Sequence, residues 1–324
     1  MNMDKAAYEK ALLERIIAGI EAHGGSRCVS AVILTGSFGR DEQTYVDGAD
    51  GTFHLKSDVE LGLVFPDHVS KRTLNTLIDA VSGEFTEELN MMPISCRRMR
   101  QGHNFNFTLF SPRYKTLFTY DLYHGSKTIW GQEYLDKQTF TLADVDPYEG
   151  KRLVANRIGE LLYLQSRGSD QPQLQAQWKG KLLLAIGSAW LLSRGKYVTS
   201  FHGQWENLKA LPEADQVLGA GFLQEYEKVF RYLRQNGGVY DIPDALLRNY
   251  TANINRYFRA HVPGKSRVNS ASRRAKYLIK YAKAGAPYGI ANFEDRILQA
   301  LLDGYCAQEP AQYQAAELWR KVLY

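Results

Sequence analysis

The sequence predicts an α+β chain: a mixed β-sheet with flanking helices, followed by an all-α helical domain. Three observations carry that expectation. Apolar runs of strand length cluster before residue 125, while the pattern from Lys151 onward is helical almost throughout. A chain of 324 residues also exceeds what one compact domain usually holds. The change of texture at Asp146-Pro147-Tyr148 sets the expected domains at 1–147 and 148–324.

The first element is a helix: Tyr8, Leu12, Leu13, Ile16, Ile17 and Ile20 recur at helical spacing, and Gly24-Gly25 ends the run. Cys28 to Thr35 is a β-branched apolar run of strand length, closed abruptly by Gly36-Ser37. A polar segment with the turn-like Asp47-Gly48-Ala49-Asp50-Gly51 leads to Ser57–Phe65, where Val59, Leu61, Leu63 and Phe65 share one face and Asp58 and Glu60 the other. Ser70 to Leu89 has the cap and periodicity of a helix starting at Ser70 or Lys71. Three strand-like runs come next: Pro93–Met99, Phe105–Phe110 and Thr116–Tyr123. In the last of these Phe118, Tyr120 and Leu122 alternate with Thr119, Asp121 and Tyr123. The helical half is punctuated by loops at Gly168-Ser169-Asp170, Gly237-Gly238, Pro263-Gly264 and Gly285-Ala286-Pro287.

Composition narrows the function classes. With 44% hydrophobic and 23% charged residues, the chain is ordinary globular material. Leu182–Leu192 is an uncharged run too short to span a bilayer, so no membrane partner is expected. Asp4, Glu9, Glu14 and Arg15 among the first apolar residues exclude a secretory core. Cys28, Cys96 and Cys306 are odd in number and widely spaced, which argues against a disulfide scaffold and for a reducing, cytoplasmic setting. The net charge of +5 permits a phosphorylated partner without requiring nucleic acid. His54, His124 and His202 lack metal spacing, Gly36-Ser37-Phe38-Gly39 is not a GxSxG elbow, and neither a Walker A motif nor a well-placed GxGxxG occurs.

The informative constellation is Gly36-Ser37, Asp58-Val59-Glu60 and Asp121. Residues two apart on a strand point the same way, about 7 Å between Cα atoms. Asp58 and Glu60 therefore present adjacent anions, which repel unless a cation or proton compensates them. Mg²⁺ suits such donors, since it takes oxygen ligands and keeps phosphate oxygens in its shell. Two ions about 3.5–4 Å apart serve phosphoryl displacement. Asp121, expected on a neighbouring strand, would supply a third carboxylate. Gly36 lets a triphosphate approach the backbone, and a short helix opening at Ser37-Phe38-Gly39-Arg40 would favour phosphate at its start. Taken singly, a Gly-Ser is a turn and an Asp-x-Glu is a solvated strand face. Their joint order is what points to chemistry.

At these residues the sequence resembles the DNA polymerase β-like nucleotidyltransferase superfamily, whose hallmark is a Gly-Ser pair, then Asp-x-Asp or Asp-x-Glu, then a third carboxylate on a later strand. The stretches GSFGRDE (36–42) and KSDVELGLVF (56–65) look most like bacterial nucleotidyltransferases often associated with polysaccharide genes. Two departures stand out. Asp41 occupies a position where glycine is common, and 20 residues separate Ser37 from Asp58, enough for an inserted hairpin.

The resemblance implies a nucleotidyltransferase-type sheet with Asp58, Glu60 and Asp121 as catalytic residues and ligands of two Mg²⁺ ions, Mn²⁺ being the alternative. It implies transfer of a nucleoside monophosphate from an NTP to an acceptor hydroxyl or phosphate, with pyrophosphate released and the acceptor left open. Gly36, Ser37 and Arg40 would hold the outer phosphates. On the helical domain Lys179 or Lys181 would contact phosphate and Ser200 would assist, while Phe201 or Tyr197 would stack on the base. Those residues read equally well as a buried amphipathic helix with lysines at its end. The basic stripe Arg273, Lys276, Lys280 and Lys283 reads as a solvated face before it reads as an acceptor or nucleic-acid surface. Rival readings are an oligonucleotide second-messenger synthase, a protein-modifying nucleotidyltransferase toxin, and a non-catalytic nucleotide-binding protein.

Overall fold

Asp4 opens the first helix by accepting a hydrogen bond from the Ala7 N–H, so helix α1 runs Lys5–Ala22. Its apolar residues Leu12, Ile16 and Ile20 are buried in the apolar core. The structure, a computed structural model, describes residues 4–47, 53–101, 116–136, 140–166, 171–235, 240–262, 293–308 and 311–322. The chain divides into two compact units, Met1–Phe105 with Phe118–Thr141, and Asn106–Leu117 with Leu142–Tyr324.

In the first unit the apolar run after α1 forms strand β1 (Ala31–Thr35), continued at once by a four-residue helical turn, α2 (Gly36–Gly39). The polar insert folds as a hairpin of β2 (Tyr45–Asp47) and β3 (Phe53–Leu55). The Tyr45 and Phe53 rings pack edge-on to each other at 5.2 Å, and Phe53 packs edge-on to Tyr8 of α1 at 5.5 Å. Strand β4 (Val59–Phe65) pairs antiparallel with β1, Thr35 facing Glu60 and Leu34 facing Leu61. Helix α3 (Lys71–Ser82), capped by the Ser70 hydroxyl, crosses over to β5 (Leu89–Ser95), which runs parallel to β4 with Glu60 opposite Asn90. Helix α4 (Cys96–Gln101) continues directly from β5, and α5 (Leu117–His124) leads into β6 (Lys127–Gly131), which closes the sheet order β5-β4-β1-β6.

One face of this mixed sheet is an apolar layer. Val32, Leu34, Val59, Leu61 and Leu63 pack in one cluster with Leu12, Ile16 and Ile20 of α1 and Leu77 and Val81 of α3. The period of two then puts Glu60 on the opposite face.

Three expectations need correction. The helix after Ser70 stops at Ser82, where Gly83 takes over its C-cap, instead of running to Leu89. The next strand starts at Leu89, not Pro93, because pairing with β4 recruits Leu89–Ser95 and the chain coils from Cys96. Pro93 is tolerated because β5 lies at the sheet edge. Thr116–Tyr123, expected as a strand, is helical: Leu117, Thr119, Tyr120, Leu122 and Tyr123 are all buried, which no two-sided strand alternation would produce. A short aromatic run does not distinguish a buried helix from a strand by period alone. The expected strand Phe105–Phe110 lies outside the described residues.

In the second unit every regular element described is helical: α6 (Tyr148–Ser166), α7 (Pro172–Ser193), α8 (Phe201–Lys209), α9 (Glu213–Leu218), α10 (Phe222–Phe230), α11 (Asp244–His261), α12 (Phe293–Ala307) and α13 (Ala311–Val322). The run Leu182–Leu192 is buried on every side, as a helix apolar all round must be when its neighbours surround it. Among the described residues no helix is long and apolar enough to cross a membrane.

Candidate functional site

The strand β1 ends where the chain must turn sharply, and the residue that makes the turn is Gly36 at φ +64°, a left-handed conformation that costs side-chain-bearing residues dearly. A second reason for glycine is contact: a Cβ built on Gly36 would fall 1.6 Å from Glu60 Oε2. The antiparallel register explains this proximity, since Thr35 pairs with Glu60 and the next residue lies against its side chain. The Gly-Ser turn and the acidic strand thus meet directly, with the Glu60 carboxylate lying on the Gly36 backbone.

Around that contact the turn is braced. Ser37 O accepts from the Arg40 and Glu42 N–H groups, and Thr35, at the N-cap, gives α2 no side-chain bond. Asp41 adopts φ +57°, the left-handed region in which Asp and Asn are the best tolerated residues after glycine. Its carboxylate receives the Lys127 ammonium, which ties the turn to β6. The Arg40 guanidinium donates to Glu42 at 3.1 Å, both side chains being largely buried, so Arg40 has a carboxylate beside it.

Asp58 immediately precedes β4, whose first N–H, that of Val59, bonds the Glu88 carbonyl. Its Oδ2 accepts from Asn90 Nδ2 at 2.6 Å. Asn90 lies opposite Glu60 in the parallel register, and its amide reaches back along the sheet to Asp58. Sequence reasoning missed Asn90. Its signal was an amide in a strand that is otherwise almost wholly apolar (LNMMPIS), where Asn is disfavoured.

Asp121 is placed differently from its expectation. It lies on α5 and not on a strand beside the acidic pair. Among the described residues no three His, Cys, Asp or Glu side chains group as a metal cluster. The later strand adjoining β4 is β5, and the side chain it sets beside the pair is the neutral Asn90. At the sheet Asp58 and Glu60 supply two hard oxygen donors. That set fits one Mg²⁺ whose other positions belong to water and phosphate.

The helical candidates have partners of their own. Lys179 is 12% exposed and bonds Asp241 at 2.8 Å and Asp244 at 2.7 Å. Burial works against its charge, but hydrogen bonds to the two carboxylates outweigh it and hold its pKa above the ordinary lysine value. Lys181 lies over the Trp178 ring at 4.3 Å. Ser200 is the N-cap of α8, its hydroxyl accepting from Gly203 N at 2.9 Å. Phe201 is the first residue of that helix and Tyr197 is buried before it. His124 contacts the Phe140 carbonyl and stacks on Tyr120 at 4.3 Å. The basic stripe Arg273–Lys283 lies outside the described residues.

A scan against models of known protein families finds none that matches this chain, and no curated protein sequence matches it.

Proposed function

We propose that the protein binds a nucleoside triphosphate with Mg²⁺ beside the Gly36 turn and the acidic pair of its sheet, and acts as a nucleotidyltransferase. In this reading an acceptor oxygen attacks the α-phosphorus, the bond to the bridging oxygen breaks, and pyrophosphate leaves with the nucleoside monophosphate joined to the acceptor. The observation that carries the reading is the contact of the Glu60 carboxylate with the Gly36 turn, since it couples a backbone suited to phosphate with an anionic pair suited to a cation. Asp58 and Glu60 would hold Mg²⁺, which when bound would neutralise phosphate charge and order the triphosphate. Gly36 and Ser37 would face the outer phosphates, with Arg40 at the far end of the turn. Positioning and charge neutralisation are the main contributions expected from these groups. A cytoplasmic setting belongs to the same proposal, as does an acceptor that is a small molecule, a nucleotide or a protein.

Asp58→Ala and Glu60→Ala test it, with labelled NTPs as donors and candidate acceptors added in turn. Both variants are expected to lose transfer by at least about a thousandfold, the order attributed to removal of a principal charge-stabilising group, while their circular dichroism stays that of the parent. Parental rates in either variant overturn the role assigned.

A second reading is favoured by one observation: the side chain beside the acidic pair on β5 is an amide, Asn90. A two-carboxylate site of this kind suits nucleotide binding without transfer. Metal-dependent NTP binding by calorimetry, with no labelled product on any acceptor, selects that reading over the first.

A further inference from the structure

Beside Asp58 and Glu60 the sheet places one polar side chain from the neighbouring strand, Asn90. Asn90 is exposed on an edge strand, so it fills no core and completes no ladder with its amide. Its Nδ2 nevertheless donates to Asp58 Oδ2 at 2.6 Å, within hydrogen-bond range, from a position directly opposite Glu60. A carboxylate with one oxygen bonded in this way keeps a defined rotamer and offers its other oxygen in a fixed direction.

We propose that Asn90 is a positioning residue, which orients the Asp58 carboxylate through Oδ2 and confines the site to the charge of two carboxylates. The inference rests on the metal–nucleotide reading above and deepens it.

The residue type supports this. A lysine at position 90 would pair with both anions and fill the place of a cation. An aspartate would add a third anion within bonding distance of Asp58. An alanine would leave Asp58 free to rotate toward water. Among these four residues the amide alone orients the carboxylate while leaving the net charge of the pair unchanged. Strand propensity disfavours Asn, so its presence in LNMMPIS runs against the local preference, as residues at functional positions often do.

The test measures Mn²⁺ binding to the full-length protein by electron paramagnetic resonance, without nucleotide, alongside thermal melting. Asn90→Ala is expected to weaken Mn²⁺ binding by about tenfold, the lower end of the loss that accompanies removal of a group orienting a metal ligand. Its melting temperature is expected to stay within about 2 °C of the parent, as suits an exposed position. Asn90→Asp is expected to tighten Mn²⁺ binding, because it adds an oxygen donor and a charge at the same place. Asp58→Asn is expected to abolish binding.

Parental affinity in Asn90→Ala overturns the orienting role. Weakened affinity in Asn90→Asp overturns the charge-limiting role. Should the parent protein itself bind no Mn²⁺, the functional reading fails and the inference with it; should the parent bind and Asn90→Ala match it, Asn90 alone is misassigned.

Discussion

The acidic pair of the sheet and the ion pairs of the helical unit handle charge differently. In the helical unit charges are matched with their opposites: Lys179 sits between Asp241 and Asp244, Arg157 donates to Glu160, and Lys228 to Glu225. On the sheet two carboxylates stand at neighbouring positions, with a neutral amide bonded to one of them, Asp58. Matched pairs serve the fold, since each partner offsets the desolvation of the other. Like charges set side by side gain from a cation or a proton that joins them. The contrast separates the candidate residues by what a substitution should damage, binding in one unit and stability in the other.

Outside the acidic pair itself, Gly36→Ala should give the largest effect, and it strikes the sheet side of the contrast. Alanine at φ +64° costs about 1–2 kcal/mol in backbone strain, and its Cβ would stand 1.6 Å from Glu60 Oε2, so the carboxylate must swing away. A displacement of about 1 Å at a reacting group costs on the order of a hundredfold in rate. Metal-dependent NTP binding and transfer should fall by at least that factor. Gly24→Ala supplies the control: Gly24 also has positive φ, +79°, but a Cβ there would meet nothing within 4 Å. It should lose about the same stability from strain and keep NTP binding. Equal binding by the two variants, measured calorimetrically, breaks the claim that the turn serves the acidic pair.

The helical side is broken at Lys179. Removing both partners in Asp241→Asn/Asp244→Asn leaves an ammonium that is 12% exposed without a counter-charge, and about 3 kcal/mol of stability should go with them. Lys179→Met should cost less, roughly 1 kcal/mol, because Asp241 and Asp244 are 68% and 45% exposed and water can solvate them. The pairing raises the folded-state pKa of Lys179, so its contribution is complete below the ordinary lysine value and is lost as the pH rises through the shifted one. Urea melts at pH 7 and pH 11 should therefore separate parent from Lys179→Met at the first pH and bring them closer at the second. A loss of NTP binding by Lys179→Met at unchanged stability would reverse the assignment.

Much of this arrangement was legible in the sequence because it depends on local pattern. The alternation of Val59, Leu61 and Leu63 against Asp58 and Glu60 gives β4 and its apolar side directly, and the Ser70 cap gives the start of α3. The pairing of β2 with β3 falls in an insert whose length suits a hairpin. Other features depend on partners distant in the chain. Nothing local distinguishes the aromatic run around Asp121 as helix or strand, and its helical state shows in burial of Leu117, Thr119, Tyr120 and Tyr123 together. The role of Asn90 emerges only once β5 is known to lie parallel to β4 in the register that sets it opposite Glu60. Lys179 could not be told from a phosphate ligand until Asp241 and Asp244, about sixty residues on, were seen to reach it.

The smallest effect sharpens the same contrast at a single hydroxyl. Ser200 caps α8 by accepting from Gly203 N, and Ser200→Ala should cost about 1 kcal/mol, typical of a lost N-cap. A stability loss alone does not separate a cap from a phosphate contact, so Ser200→Asp carries the decision. Aspartate is as good a cap as serine, and its negative charge is favoured at a helix N-terminus, so stability should return to the parental value or slightly above. Were the hydroxyl also a phosphate contact, the same carboxylate would repel the triphosphate and NTP affinity would collapse. The geometry predicts recovery of stability with NTP affinity within twofold of the parent, because the role it shows for the hydroxyl is to cap α8.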